Sequence, residues 1–144
     1  MDVDGTLTDG RIHIGNHGEL FKSFHVRDGY AIHDMLPQMG IIPIAITGRI
    51  SFIVEQRCKE MGIVYVVQGC QNKQEELECI LSKLGIEWKE TAYIGDDLND
   101  LQCMELAGLV GCPADAAEKV KQQADFISSY SGGCGAVREF VEKF

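Results

Sequence analysis

The run Ile41-Ile-Pro-Ile-Ala-Ile46 has no polar side. A strand that faces water on one side alternates apolar and polar residues. One that is apolar on both sides has to be covered on both, as the strands of a parallel sheet are. The run is also far below the ~18 residues a membrane-crossing helix needs. The flanking pattern agrees with a buried strand. Ile50–Met61 carries Ile50, Ile53, Val54, Cys58 and Met61 on one helical stripe, and Gly62 closes it. Ile63–Val67 reads as the next strand, and Asn72–Leu84 as a helix with Leu77, Ile80, Leu81 and Leu84 inward, ended by Gly85. Thr91–Ile94 is a strand, followed by a helix from about Leu98 to Ala107. Leu109–Cys112 and Asp125–Ile127 are short strands, and Val137, Phe140, Val141 and Phe144 give the last helix its face. Strands alternating with helices require crossover connections and a parallel sheet with helices on both faces.

One segment breaks the rhythm. Arg11–Val26 alternates, turns at Gly15-Asn16-His17-Gly18, and alternates again through Leu20, Lys22, Phe24 and Val26. This predicts a β-hairpin inserted after the first strand, over about residues 11–26. A lone two-stranded hairpin is marginal. Its apolar face therefore packs on a partner subunit or, with equal weight, on the chain's own surface. No repeat or linker divides residues 1–144, a length suited to one domain of roughly 100–200 residues. Six cysteines stand scattered, without a Cys-x-x-Cys pair or a Cys/His cluster, and read as reduced thiols. A net charge of −9 argues against nucleic-acid binding, whose affinity comes from Lys and Arg neutralising phosphates. An anionic substrate would need local positive charge or a metal.

Four groups of polar residues follow predicted strands. Asp2-Val3-Asp4-Gly5-Thr6 sets two carboxylates two residues apart. An EF-hand loop fails there, because its sixth and twelfth positions would be Leu7 and His13 rather than Gly and Glu. Thr47-Gly48-Arg49 joins a hydroxyl, a permissive backbone and a helix start, a weak signal taken alone. Lys73 lies at another helix start, where the dipole disfavours a cation; it is either a solvated charge or a functional one. Gly95-Asp96-Asp97-Leu98-Asn99-Asp100 gathers carboxylates that suit a hard cation, although Asp97 and Asp100 also read as helix-capping groups. All four converge at the C-terminal edge of a parallel sheet, where such sheets bind ligands.

Taken together, Asp-x-Asp-Gly-Thr at Asp2–Thr6, Thr47, Lys73 and Gly-Asp-Asp-x-x-Asp at Gly95–Asp100 resemble the haloacid-dehalogenase (HAD) superfamily over essentially the whole chain. The resemblance implies a Rossmann-like α/β fold with the inserted hairpin and no cap domain. It implies Asp2 as the nucleophile that forms an aspartyl-phosphate, and Asp4 as the acid and then the base. Mg²⁺ would be held by Asp2, the main-chain carbonyl of Asp4, and Asp96. Thr47 and Lys73 would hold phosphoryl oxygens, while Asp97 and Asp100 would support from behind, Asp97 by orienting metal waters or Lys73. Superfamily ATPases carry Thr where this chain has Asp4, which points to hydrolysis or mutase chemistry. The family also sets an apolar strand before the nucleophile. Only Met1 precedes Asp2, so residues upstream are expected to supply that strand.

Further matches narrow the subgroup: Asp9-Gly10-x-Ile12, Gly15-Asn16-x-Gly18-Glu19, Phe24-x-Val26-Arg27-Asp28-Gly29, Gln68-Gly69, and the tail from Gly132 to Glu139. These are similar to the cap-less phosphatases of sugar-acid biosynthesis that act on 3-deoxy-D-manno-octulosonate 8-phosphate (KDO8P). That similarity implies a homotetramer built through its hairpins, with one subunit closing the next one's site, while the scattered reduced thiols point to a cytoplasmic protein. It also implies a glycine-rich tail near the substrate, against the plainer reading of a flexible loop. Arg49, with Gly48, would select an eight-carbon substrate, since relatives acting on nine-carbon acids tend to carry Glu there. Arg27 and Arg138 are further substrate-binding candidates, or else surface ion pairs. Competing expectations are a nine-carbon 9-phosphate substrate, a phosphatase domain of a bifunctional cytidylyltransferase, and a non-catalytic oligomerisation module.

Overall fold

The computed structural model describes residues 1–144. Two parallel groups of strands make the central sheet. In the first, β3 (Ile44–Ile46) pairs with β4 (Tyr65–Val67); in the second, β5 (Ala92–Ile94) pairs with β6 (Leu109–Cys112), and β6 with β7 (Phe126–Ile127). Residues 1–2 join the two groups. The Met1 amino group donates to the Ile44 carbonyl at 2.9 Å, the Ile46 amide to the Met1 carbonyl at 3.0 Å, and the Asp2 amide to the Ile94 carbonyl at 3.0 Å. The first Asp therefore stands between β3 and β5. Beyond Met1 lies a cavity of about 210 Å³ lined by Met1, Ile42, Ile44, Ala92, Ile94 and Phe140, among others.

Helices flank the sheet: α3 (Phe52–Glu60), α4 (Lys73–Leu84), α5 (Leu101–Met104), α6 (Glu118–Gln123) and α7 (Ala136–Val141). One buried cluster joins Val3, Ala45, Val54, Cys58, Ile94 and Phe140; a second joins Ile46, Leu77, Leu81, Tyr93, Val110 and Val120. Both faces of the β3 run are thus covered, as its lack of a polar side requires. All six cysteines are free, and burial pushes the Cys58, Cys103 and Cys112 thiols up to about 11. No helix is long and apolar enough to cross a membrane.

The hairpin forms from β1 (His13–Gly15) and β2 (Gly18–Phe21), antiparallel, with an irregularity in register at His13/Ile14. It is shorter than the alternation suggests. Val26 does not end a strand; it is exposed and begins α1 (Val26–Tyr30), with His25 as N-cap accepting from the Arg27 amide at 3.3 Å. The chain stays helical through a wide π turn, Ala31–Met35, into α2 (Leu36–Gln38). Pro37 lacks an amide hydrogen and crowds the preceding turn, and a widened turn accommodates it. No helix was expected over this stretch.

Two other expectations are corrected. Ile50 is not on the buried stripe of α3: Ser51 is the N-cap, accepting from the Val54 amide at 3.3 Å, so Ile50 lies before the helix and is 80% exposed. The helix expected from Leu98 to Ala107 is a 3₁₀ turn at Leu98–Asp100 followed by the short α5, because the Asp97 and Asp100 side chains cap the turn from within.

Candidate functional site

The first loop is a tight turn. The amides of Thr6, Leu7 and Thr8 all point to the Val3 carbonyl, at 3.3, 2.9 and 3.1 Å. Thr8 Oγ1 accepts from the amides of Gly5 (3.3 Å) and Gly10 (3.2 Å). Gly5 has a φ of +99°, and a Cβ there would lie 2.0 Å from Asp96 Oδ2. Only glycine both takes that conformation and lets the fourth polar group come so close.

Lys73, the first residue of α4, is buried rather than solvated. Its Nζ donates to Asp2 Oδ1 at 2.5 Å and to Asp100 Oδ1 at 2.7 Å. These contacts explain how a cation stands against the helix dipole. Burial works to strip its proton, but Asp2 and Asp100 outweigh burial and hold the lysine above its ordinary pKa. Asp100 is fully buried and also accepts from the Tyr93 hydroxyl at 2.7 Å and from the amides of Asp96 (3.0 Å) and Asp97 (3.2 Å). Of the two supporting acids expected, Asp100 is the one that contacts Lys73. Asp97 itself is exposed, its Oδ1 accepting from the Leu98 amide at 2.8 Å, and it makes no contact with Lys73. This outcome follows from the turn: the third acid, Asp100, faces inward and the second, Asp97, faces out.

Asp2, Asp96 and Asp100 each bring a carboxylate oxygen within 4.8 Å of the others. Asp96 Oδ1 accepts from Thr6 Oγ1 at 3.0 Å. Burial first, then repulsion from Asp100, raises the Asp2 carboxyl to about 6; burial, then Asp2 and Asp100, raises Asp96 to about 8. Three crowded carboxylates with one lysine among them have too little positive charge nearby. A hard divalent cation with oxygen ligands would relieve that repulsion, and the donor set fits Mg²⁺. The Asp4 carboxylate is not among the three that gather there.

Asp4 instead makes two side-chain contacts. Its Oδ1 pairs with Lys22 Nζ, and its Oδ2 accepts from Thr47 Oγ1 at 3.3 Å. Thr47 Oγ1 accepts from the Arg49 amide at 3.3 Å. Two contact groups, Asp2–Lys73–Asp100–Asp96 and Lys22–Asp4–Thr47, thus stand at the C-terminal edge of the sheet, brought side by side by the short loop that carries both Asp2 and Asp4. Gly48 and Arg49 are exposed beside it, and one Arg49 nitrogen lies 4.0 Å from Glu19 Oε1. Arg27 and Arg138 do not join this group. They line a separate recess with Tyr130, Gly135, Glu139 and Glu142, where Arg138 Nε pairs with Glu142 at 2.6 Å and its guanidinium lies over the Tyr30 ring.

Sequence reasoning missed Lys22, Glu19 and Asp28. Asp28 is buried and accepts from the amides of Gly135 (3.2 Å) and Arg138 (2.8 Å), fixing the start of α7 and the tail before it. That tail is packed against the first loop: the Gly133 amide donates to the Thr6 carbonyl at 3.1 Å, and a Cβ on Gly132 would fall 1.8 Å from the Gly5 carbonyl oxygen. An Asp-Gly pair in the first turn of α1, where a carboxylate suits the helix start, was the available signal.

Comparison with known proteins bears on this geometry. A family model for haloacid dehalogenase-like hydrolases matches residues 39–140. The chain is 46% identical over 142 residues to the 3-deoxy-D-manno-octulosonate 8-phosphate phosphatase KdsC of Salmonella typhi, covering 99% of this chain and 75% of that one. It is 45% identical over 142 residues to the protein of the same name in Escherichia coli K12, with the same coverage. Among solved structures, that of the Moraxella catarrhalis KDO8P phosphatase with magnesium ion, phosphate ion and KDO superposes with a TM-score of 0.94 at 43% identity, covering 99% of this chain and 82% of that one. The cobalt-bound Haemophilus influenzae phosphatase superposes with a TM-score of 0.94 at 39% identity, over 99% and 82% of the two chains.

Proposed function

The chain belongs to the haloacid dehalogenase-like hydrolase family, and on that premise we propose that it is a Mg²⁺-dependent phosphatase hydrolysing KDO8P to KDO and phosphate. One observation carries the reading: Asp2, Asp4, Thr47, Lys73 and Asp96, drawn from four separated stretches, gather at the C-terminal edge of the sheet, with Lys73 and Asp96 at Asp2 and Thr47 at Asp4. The substrate follows from the identity to KDO8P phosphatases over nearly the whole chain and from the KDO and phosphate bound to the Moraxella relative.

In this reading an Asp2 carboxylate oxygen attacks phosphorus, and the bond from phosphorus to the sugar oxygen breaks. Asp4 gives its proton to the departing oxygen. Asp4, now a carboxylate, takes a proton from water, whose oxygen attacks phosphorus and releases Asp2 and inorganic phosphate. One difficult displacement becomes two easier ones. Bound at Asp2, Asp96 and the Asp4 carbonyl, Mg²⁺ supplies positive charge that lets a carboxylate approach a phosphoryl group. Lys73 and the Thr47 hydroxyl hold phosphoryl oxygens, and Asp100 keeps Lys73 aimed at Asp2. Arg49, exposed at the rim, is placed to meet the sugar carboxylate by a two-pronged contact.

The apolar hairpin supports assembly as a homotetramer: Ile12, Ile14, Leu20 and Phe21 are 42, 71, 62 and 51% exposed on one small ribbon. Six free cysteines suit a cytoplasmic location. The test is phosphate release from KDO8P, two nine-carbon acid 9-phosphates and an aryl phosphate, compared by kcat/KM with Mg²⁺. KDO8P is expected to lead, and Asp2→Asn to abolish release while keeping the wild-type fold. Turnover by that variant, or preference for a nine-carbon substrate, refutes the assignment.

A further inference from the structure

Lys22 has no role in the chemistry above, yet its side chain is wholly buried, directly after a ribbon whose large apolar side chains Ile14, Leu20 and Phe21 are exposed. Its ammonium sits between two carboxylates, pairing with Asp4 Oδ1 and lying 3.1 Å from Glu19 Oε1. Glu19 is held in turn: its Oε2 accepts from the Ser51 hydroxyl, and Ser51 caps α3 and donates its amide to Gln68 Oε1 at 2.7 Å. Burial disfavours the Glu19 charge, but Ser51, Lys22 and Arg49 outweigh burial and hold its carboxyl below the ordinary range. The hairpin thus reaches the loop of Asp4 through one chain of contacts, Asp4–Lys22–Glu19–Ser51.

Such a chain is poorly explained as a stabilising device. Burying a paired ammonium costs desolvation that the pair often only recovers. Its geometric effect is definite. The two oxygens of Asp4 are held from opposite sides, one by Lys22 and the other by the Thr47 hydroxyl. Without Lys22 the carboxylate would keep one weak tether and could swing about its side-chain bonds. A proton donor must lie within about 2.6–3.2 Å of the oxygen it serves.

We propose that Lys22, held by Glu19, is the positioning residue of Asp4, so that the seating of the hairpin sets how well the leaving oxygen is protonated. The inference rests on the phosphatase reading, in which Asp4 is the proton donor. It predicts a loss that depends on the leaving group, which a general structural role would not produce.

The experiment compares single-turnover rates of the Mg²⁺-loaded enzyme on KDO8P, whose alkoxide needs a proton to leave, and on p-nitrophenyl phosphate, whose phenolate does not. Lys22→Met is expected to slow release of KDO at least about thirtyfold, within the general-acid contribution of roughly 10²–10⁴. It should slow p-nitrophenolate release less than about threefold and leave the KM for KDO8P within about threefold. Glu19→Gln keeps Lys22 but frees it from one partner, and is expected to show the same selectivity at smaller size, about threefold to tenfold. Equal loss on both substrates, a change in KM alone, or no loss overturns the proposal. If Lys22→Met does not fold, Glu19→Gln decides by the same ratio, and an unselective or absent effect overturns it. A wild-type enzyme inert toward both phosphates overturns the phosphatase reading and this inference with it; an active wild type with unselective variants overturns this inference alone.

Discussion

Asp100→Asn is the most demanding test of the buried network, because it changes one charge and almost no volume. Asp100 uses both oxygens: Oδ1 takes Lys73 Nζ and the Tyr93 hydroxyl, each at 2.7 Å, and Oδ2 takes the amides of Asp96 and Asp97 at 3.0 and 3.2 Å. An amide offers one oxygen and one NH₂. Whichever way it turns, its NH₂ faces two donors, and one pair of partners loses its acceptor. Each buried group left unsatisfied costs about 1–3 kcal/mol, and breaking a buried ion pair about 3–5 kcal/mol. Against this, Asp100 is one of the charges that raise the Asp2 and Asp96 carboxyls, so its removal relieves some repulsion. A net loss of about 3 kcal/mol follows, which at ~3 °C per kcal/mol for a chain of this size lowers Tm by about 10 °C. The assay is thermal unfolding by circular dichroism in EDTA and in Mg²⁺. The EDTA comparison carries the estimate, and the Mg²⁺-induced rise in Tm should shrink in the variant, since one carboxylate of the cluster is gone. A Tm within 2 °C of wild type in EDTA, with activity retained, would refute the view that Asp100 organises Lys73 and the two amides.

Two further expectations concern packing and protons. Gly132→Ala brings a methyl group 1.8 Å from the Gly5 carbonyl oxygen and 2.8 Å from that of Thr8, both backbone atoms that move only if the first loop moves. It should cost about 1–3 kcal/mol of stability, read as a fall in Tm, and should lower kcat more than tenfold; wild-type kcat would mean the tail does not bear on the loop. In EDTA, stability should fall as pH rises from about 4 to about 8. Asp2 at about 6 and Asp96 at about 8 keep protons that the unfolded chain, with carboxyls near 3.8, has released, so the folded state is proton-rich across that window. Mg²⁺ should remove most of the slope above neutral pH, because metal binding displaces those protons. Parallel Tm–pH curves with and without Mg²⁺ would show that the carboxylate cluster is not the metal site.

Much of the fold was legible in local pattern. A run without a polar side, β3, could only be a covered strand, and the motifs at Thr47, Lys73 and Asp96 each followed a strand, so their convergence at one edge was already implied. Helix ends were less secure. Ser51 rather than Ile50 decides where α3 starts, since a hydroxyl that caps an amide overrides an apolar stripe extended one residue too far. The run from Val26 to Gln38 escaped detection because Gly29 and Pro37 break the usual helical signature.

The sequence by itself determined the kind of sheet, the order of its strands along the chain and that the polar loops would share one edge, because periodicity and loop position are local properties. Only the tertiary structure decided the partners. Residue pattern left Lys73 either a solvated charge or a functional one, and Asp2 and Asp100, 71 and 27 residues away in the chain, close around it. Asp97 and Asp100 were interchangeable on paper, and the turn between them sent one to water and the other into the core. Lys22 was one polar residue in an alternating strand, and its burial against Asp4 depends on where the hairpin folds back. Pairing of charges is set by distance in space, and a buried ion pair leaves no periodic trace in the chain.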